Sequence, residues 1–232
     1  NHPVFHTIFT LYKNIMYRRL KVEGSRKIKA SNKMSIRGKH HSSKMFKMIP
    51  WESTLERDFI KLLDFDETIE SFHFQPLQID FLYKGKRRKY FPDFLVQRKN
   101  GKRYIYEVKA FSKINEPNNI IKFQAGHRYC SENDMIYKIV TEKDIRKGHL
   151  IENLDVLNEV REDSTSKSIM NEIMNTIKAR GKSITIIELH EKLKDIEEAI
   201  FECNLFYLLN TQMLYTELES VPINSNSIIE MK

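Results

Sequence analysis

No apolar run in this 232-residue chain approaches the roughly 20 residues that a membrane helix needs. The first residues also lack the short apolar core and small-residue cleavage site of an export signal, so a soluble, cytoplasmic protein is expected. Cysteine is scarce. Cys130 and Cys203 lie far apart in stretches that read as helical, and two cysteines make no metal-binding spacing, so a reduced pair of small core residues is expected. No internal repeat is visible, which excludes a repeat array. Acid is almost missing from residues 1–50, where Glu23 alone faces twelve Lys and Arg. At the other end the shortage reverses: from Asp195 to Met231 there is no Lys or Arg, against seven acids.

With 41% hydrophobic and 30% charged residues, the chain as a whole is not disordered. Its formal charge of +8 is graded along its length: +11 over residues 1–50, +4 over 51–149 and −7 over 150–232. An excess of this sign favours a polyanionic partner. In the first region Val4, Phe5, Ile8, Leu11, Tyr12, Ile15 and Met16 predict an amphipathic helix. Residues 21–47 then dissolve into Lys, Arg, Ser, Gly and His, as in an arm that orders only against a partner. Counterion release rewards clustered cations, which makes Arg26, Lys27, Lys29, Lys33, Arg37, Lys39, Lys44 and Lys47 the expected DNA contacts. A solvated tail is the plain alternative. His40 and His41 are neighbours, a poor spacing for one metal ion, and read as arm residues.

Residues 53–65 read as a helix with Leu55, Phe59, Leu62 and Leu63 on one face and Glu56 at its edge. Strands are expected at 69–74, 77–83, 89–97 and 103–110, separated by Pro76, Lys84-Gly85 and Asn100-Gly101. A helix over about 118–130 and a strand at 135–140 complete an α/β domain with a mixed sheet. After a helix at 150–160 and a polar boundary at 161–168, a second small domain begins. Ile169, Ile173 and Ile177 stripe one helix, Thr185 with Glu188 caps a second, and Asp195 with Glu198 is expected to cap a third ending near Leu209. Residues 213–218 and 227–231 read as a hairpin, so the domain has the order of a winged helix.

Chemistry concentrates in Tyr90-Phe91-Pro92-Asp93-Phe94-Leu95-Val96 and Tyr104-Ile105-Tyr106-Glu107-Val108-Lys109. A carboxylate within an apolar strand is costly unless paired or bound to a cation. Glu107 and Lys109 share a strand face by alternation. Asp93 stands opposite Glu107 only if paired residue numbers sum to 200. A two-residue Asn100-Gly101 turn gives 201 and opposite faces, whereas a Lys99-Asn100-Gly101 loop with left-handed Gly101 gives 200. Both turns suit the local sequence. In the second case two carboxylates face each other, a setting for Mg²⁺ or Mn²⁺. A lysine beside that metal can help deprotonate a water or neutralise charge building on a phosphate. An ion-paired patch on a solvated sheet is the alternative.

Pro92-Asp93, fourteen residues, then Glu107-x-Lys109, preceded by a helix bearing Glu56, resembles the PD-(D/E)xK nuclease superfamily with its restriction-endonuclease-like mixed β-sheet core. More narrowly, Trp51-Glu52-Ser53-Thr54-Leu55-Glu56-Arg57-Asp58-Phe59, Gln75-Pro76, Tyr90-Phe91-Pro92-Asp93-Phe94 and Tyr106-Glu107-Val108-Lys109 look like the TnsA-type endonuclease subunit of heteromeric transposases. The likeness runs from about residue 35 to 145 and beyond that is one of domain order. It implies a bacterial enzyme acting on double-stranded DNA at transposon ends and cutting the strands at the 5′ ends. A DDE-type partner transposase would handle the 3′ ends, and a regulatory ATPase would dock on the endonuclease. By position Glu56, Asp93, Glu107 and Lys109 are the implied catalytic residues, and Glu56, Asp93, Glu107 and Val108 the implied metal ligands. Glu52 is the rival for the helix carboxylate, and Gln75 reads as a buried side chain bonding backbone. Some relatives carry Gln at the position of Glu107; this chain keeps the carboxylate. A stand-alone restriction or repair nuclease, and a non-catalytic DNA-binding adaptor, are the competing readings. The organisation expected is a basic helix and arm (1–50), a nuclease domain (51–149) and a helical linker with a winged-helix-like α+β domain (150–232). The acidity of that last region repels phosphate, so it is expected to bind protein, the ATPase in particular.

Overall fold

The computed structural model describes residues 36–181 and 183–232. They fall into two units, one ending at Glu142 and one starting at Lys143. The amphipathic helix expected in the first twenty residues, and Arg26, Lys27, Lys29 and Lys33, lie outside the described residues.

The N-terminal unit opens with an antiparallel hairpin, β1 (Gly38–Ser42) and β2 (Lys47–Trp51). The expectation of an arm without structure of its own is corrected here for residues 38–47. Ser42 and Ile49 are buried, and Asp64 accepts from the Ser42 hydroxyl and from the backbone N–H groups of Ser43 and Lys44. Composition suggested solvent because the anchoring acid lies twenty residues downstream.

Ser53 caps the helix α1 (Thr54–Phe65), its hydroxyl accepting the Glu56 N–H at 3.2 Å. The buried stripe runs through Glu56, Phe59, Ile60 and Leu63, while Leu55 and Leu62 are half-buried. The helix is therefore rotated from the face read in the sequence, and Glu56 sits within the inner stripe.

Next come β3 (Ile69–Phe74), β4 (Ile79–Tyr83), β5 (Lys86–Tyr90), β6 (Phe94–Arg98) and β7 (Arg103–Val108). The strand expected over 89–97 is two strands. Pro92 lacks a backbone donor, and around it the chain leaves a β4–β5 ribbon to enter the main sheet as β6. Helix α2 (Pro117–Glu132) then crosses to β8 (Ile136–Val140). The main sheet has the order β3-β6-β7-β8, with β3/β6 and β6/β7 antiparallel and β7/β8 parallel: a mixed sheet in an α/β unit. Phe94, Leu95 and Val96 are all buried, so β6 is covered on both faces. On one side Phe59 of α1 meets Phe94 at 5.5 Å and Tyr106 at 5.2 Å between ring centroids. On the other, Leu95 and Ile105 pack with Phe123 and Cys130 of α2 and with Tyr137. Each such side chain contributes about 1.5–3 kcal/mol by leaving water.

The single turn α3 (Glu142–Ile145) precedes α4 (Leu150–Asn158). The C-terminal unit continues with α5 (Lys167–Arg180), β9 (Ser183–Thr185), α6 (Ile186–Lys192), α7 (Glu198–Asn210), β10 (Leu214–Tyr215) and β11 (Ile228–Met231). Thr185 and Glu188 form the expected capping box. The expected Asp195 cap is not made: Glu197 is the N-cap of α7, with no side-chain bond. The expected hairpin exists as β10–β11, and β11 also pairs with β9, a strand too short to leave a pattern in the sequence. Cys130 is buried, but Cys203 is half-exposed, its thiol donating to the Ser164 carbonyl, so it is not the core residue expected; both are free thiols. Among the described residues no helix is long and apolar enough to cross a membrane.

Candidate active site

The loop between β6 and β7 sets the site. Gly101 has φ +81°, a left-handed conformation that favours glycine. Its N–H donates to Arg98 O at 2.9 Å, Arg98 N–H donates to Lys102 O at 2.9 Å, and Asn100 Oδ1 accepts the Lys102 N–H. This is the three-residue loop with its bulge. Phe94 accordingly faces Tyr106 and Leu95 faces Ile105, pairs that sum to 200. One step further along this register, Asp93 comes opposite Glu107.

Asp93 is fixed from two directions. Its carbonyl accepts the Gln75 N–H at 2.7 Å, and its Oδ2 accepts the Val108 N–H at 2.7 Å. Gln75 pays for that contact with a φ of +43°, a strained value for a residue other than glycine. Its side-chain amide donates to Glu52 Oε2 at 3.3 Å. Glu107, 2% exposed, receives the Tyr90 hydroxyl on Oε2 at 2.6 Å and the Lys109 ammonium at 3.1 Å on Oε1. The Tyr90 hydroxyl also shares a 2.7 Å bond with that of Tyr137. Glu56 arrives in the first turn of α1, its Oε2 accepting the Glu52 N–H at 2.7 Å.

Burial first, then the charges of Glu107 and Glu56, hold the Asp93 carboxyl well above its ordinary range; Lys109 and the Val108 N–H only partly offset them. Burial also raises Glu56, against the bonds from Glu52 N–H and Ser53. Burial by itself would lower Lys109, but Glu107 and Asp93 outweigh it, and the ammonium is held above its usual range. It is therefore protonated at neutral pH and serves as a fixed positive charge. Glu56, Asp93, Glu107 and Lys109 are thus brought together electrostatically, with three carboxylates sharing one ammonium. Glu52 adjoins Glu56 and bonds Gln75, a supporting position.

The donor set suits a hard divalent cation: its oxygens are carboxylate, and their mutual repulsion in a buried place calls for positive charge. Among the described residues, however, no group of three or more His, Cys, Asp or Glu stands close enough together to enclose an ion. Glu56, Asp93 and Glu107 are each held by protein donors instead. Val108 gives its N–H to Asp93, and its side chain is buried.

Of the expected DNA contacts that are described, Lys39 and Lys47 are exposed on the β1–β2 hairpin and Arg37 is half-buried before it. Lys44 is otherwise engaged: its ammonium donates to Leu63 O at 2.8 Å and to Asp66 O, closing the C-terminus of α1. Sequence reasoning missed Tyr90, Tyr137 and Gly126. The ring of Tyr137 packs so closely on α2 that a Cβ at Gly126 would meet it at 2.2 Å. Periodicity carries no sign of a hydroxyl pair that joins two separate sheets.

Residues 66–142 match the model of a family described as TnsA-like endonuclease N terminal. The match spans β3 to β8, takes in Asp93, Glu107 and Lys109, and begins after Glu56. Over that stretch the chain is similar to the N-terminal domain of TnsA-like endonucleases. A search of curated proteins found no match.

Proposed function

We propose that this chain is the metal-dependent endonuclease subunit of a Tn7-type, cut-and-paste transposase, hydrolysing phosphodiesters in the strands at the 5′ ends of the transposon. The observation that carries this reading is the opposition of Asp93 and Glu107 at the end of β6 and β7, with Lys109 beside them inside the TnsA-like stretch and Glu56 joining them from α1. Glu56, Asp93 and Glu107, with Val108 adjoining, would hold Mg²⁺ or Mn²⁺. When bound, that ion supplies Lewis-acid polarisation and a more acidic water. The chain's own residues orient the rest. Val108 N–H and Gln75 N–H hold Asp93; Tyr90 fixes Glu107; protonated Lys109 offsets negative charge growing on the phosphate. Water adds to phosphorus and the 3′-oxygen departs with a proton, leaving 5′-phosphate and 3′-hydroxyl ends.

In the C-terminal unit the order helix, strand, two helices, two strands supports a winged-helix reading. Its acidity from Asp195 to Met231 supports a protein partner, the regulatory ATPase, over DNA. The DDE-type transposase and double-stranded transposon-end DNA complete the proposed assembly. A non-catalytic adaptor is favoured by one observation, the engagement of the carboxylates with protein donors. End-cleavage assays with the partner transposase and Mg²⁺ separate the two: the wild type cuts and Asp93→Ala does not. Equal cutting by both refutes the site, and no cutting by either favours the adaptor.

A further inference from the structure

A basic ribbon stands directly before the carboxylate motif. Between Tyr83 and Tyr90 every residue is cationic except Gly85: Lys84, Lys86, Arg87, Arg88 and Lys89. All five are exposed. The turn is tight, with φ +48° at Lys84 and +70° at Gly85, and pairs Tyr83 with Lys86. Lys84 and Arg88 lie over the Tyr83 ring at 5.5 and 5.0 Å, which stiffens the tip. None of the five has a carboxylate partner among the described residues. Asp80, opposite Lys89, instead accepts the Gln78 amide on both oxygens.

The other end of the ribbon is rooted. Ile79 and Tyr90 face each other and are buried with Leu95, Ile105 and Tyr137, and the Tyr90 hydroxyl reaches Glu107. At about 3.3 Å per residue the charged tip stands about 15 Å from that root. Side chains alternate along β5, so Lys86 and Arg88 point to one face of the ribbon and Arg87 and Lys89 to the other. An acidic peptide offers charge to one face at a time. A duplex groove offers phosphates on both sides, and a two-stranded ribbon fits the major groove.

We propose that the β4–β5 ribbon is a phosphate-binding element that enters a groove of duplex DNA and holds the backbone beside Asp93 and Glu107. This rests on the nuclease reading and adds to it a binding surface separate from the N-terminal basic segment. The contacts are to phosphate, so they are independent of sequence.

The test uses the full chain and a short labelled duplex of arbitrary sequence, with affinity measured between about 50 and 200 mM salt. In the triple variant Lys86→Ala, Arg87→Ala, Lys89→Ala, the slope of log K against log salt should become shallower by about 2 to 3. The charge-keeping variant Lys86→Arg, Arg87→Lys, Lys89→Arg should retain the wild-type slope, and thermal melting checks that all are folded. An unchanged slope in the triple variant, with the wild type binding and cutting DNA, overturns the ribbon and leaves the nuclease standing. A wild type that does not bind DNA overturns both. Polyglutamate that outcompetes the duplex, and loses its hold on the triple variant, assigns the ribbon to an acidic protein and also overturns it.

Discussion

Two neighbouring hairpins of one unit, β4–β5 and β6–β7, differ by a single residue in their turns and have opposite fates. The Lys84-Gly85 turn has two residues, so paired positions sum to 169 and cross-strand partners have opposite parity. The Lys99-Asn100-Gly101 loop has three, the sum is 200, and partners share parity. The first hairpin carries consecutive cations along one exposed strand; the second brings two acids face to face in a covered sheet. In the second, turn length decides which charges meet, and burial decides what the meeting costs. Tyr90 links the two, closing the ribbon and donating to Glu107.

The largest break in that comparison is removal of one facing acid. Asp93→Ala should lower cleavage at least about 10³-fold, the scale of losing an electrostatic group that acts in the transition state. Duplex affinity should change less than about two-fold, because the proposed phosphate contacts lie elsewhere. Cleavage rates and binding isotherms on the same preparation check both.

Cutting the link comes next. Tyr90→Phe leaves Glu107 Oε2 without its hydroxyl donor and the Tyr137 hydroxyl without the oxygen that accepts its proton, both in a buried setting. A loss of about 1–3 kcal/mol in urea unfolding is expected. Tyr137→Phe, which leaves the bond to Glu107 in place, should cost less. Equal costs would mean that packing of the rings, and not the bond to the acid, is what the hydroxyl supports.

The turns themselves can be compared directly. A Cβ at Gly101 or at Gly85 would meet nothing within 4 Å, so an alanine costs only the strain of positive φ. Gly101→Ala should destabilise by about 1 kcal/mol, since its loop sets the register of the central strands. Gly85→Ala should fall well below that, because a ribbon tip can fray locally without unfolding the sheet. Equal losses in denaturant midpoint would contradict the view that burial separates the hairpins.

Much of this comparison was legible in the sequence. Pro92-Asp93 and Glu107-x-Lys109 stand out as polar residues in apolar strands, and parity tied a facing acid pair to the three-residue β6–β7 loop, while the local sequence left the two-residue turn equally open. The start of α1 followed from Ser53, and β3 from its β-branched and aromatic run. What escaped depends on distant partners. Lys44 looks like an arm residue until the end of α1 is folded against it. The strand break at Pro92 is clear only once β5 and β6 belong to different sheets. Glu56 looked marginal because Leu55 and Leu62 outweigh it in hydropathy, yet packing turns it inward.

The finest test asks whether the acid pair is held together against its own repulsion. The folded-state pKa of Asp93 is raised by burial, Glu107 and Glu56. For an acid with a raised folded pKa, the stabilising contribution is complete below the unfolded value and is lost as pH climbs through the folded one. At neutral pH without divalent cations, Asp93 therefore works against folding. Asp93→Asn removes the charge and keeps an oxygen that can accept the Val108 N–H. It should be more stable than the wild type by roughly 0.5–2 kcal/mol at pH 8 in EDTA, while losing cleavage, as sites kept for function at the expense of stability do. The gain should shrink toward pH 4, where protonation neutralises the wild-type carboxyl as well. Denaturant curves of both proteins across that range measure it. A gain that stays constant with pH would show that packing, not charge, accounts for it; a wild type more stable than Asp93→Asn at pH 8 would mean that Lys109 already compensates the cluster without a metal ion.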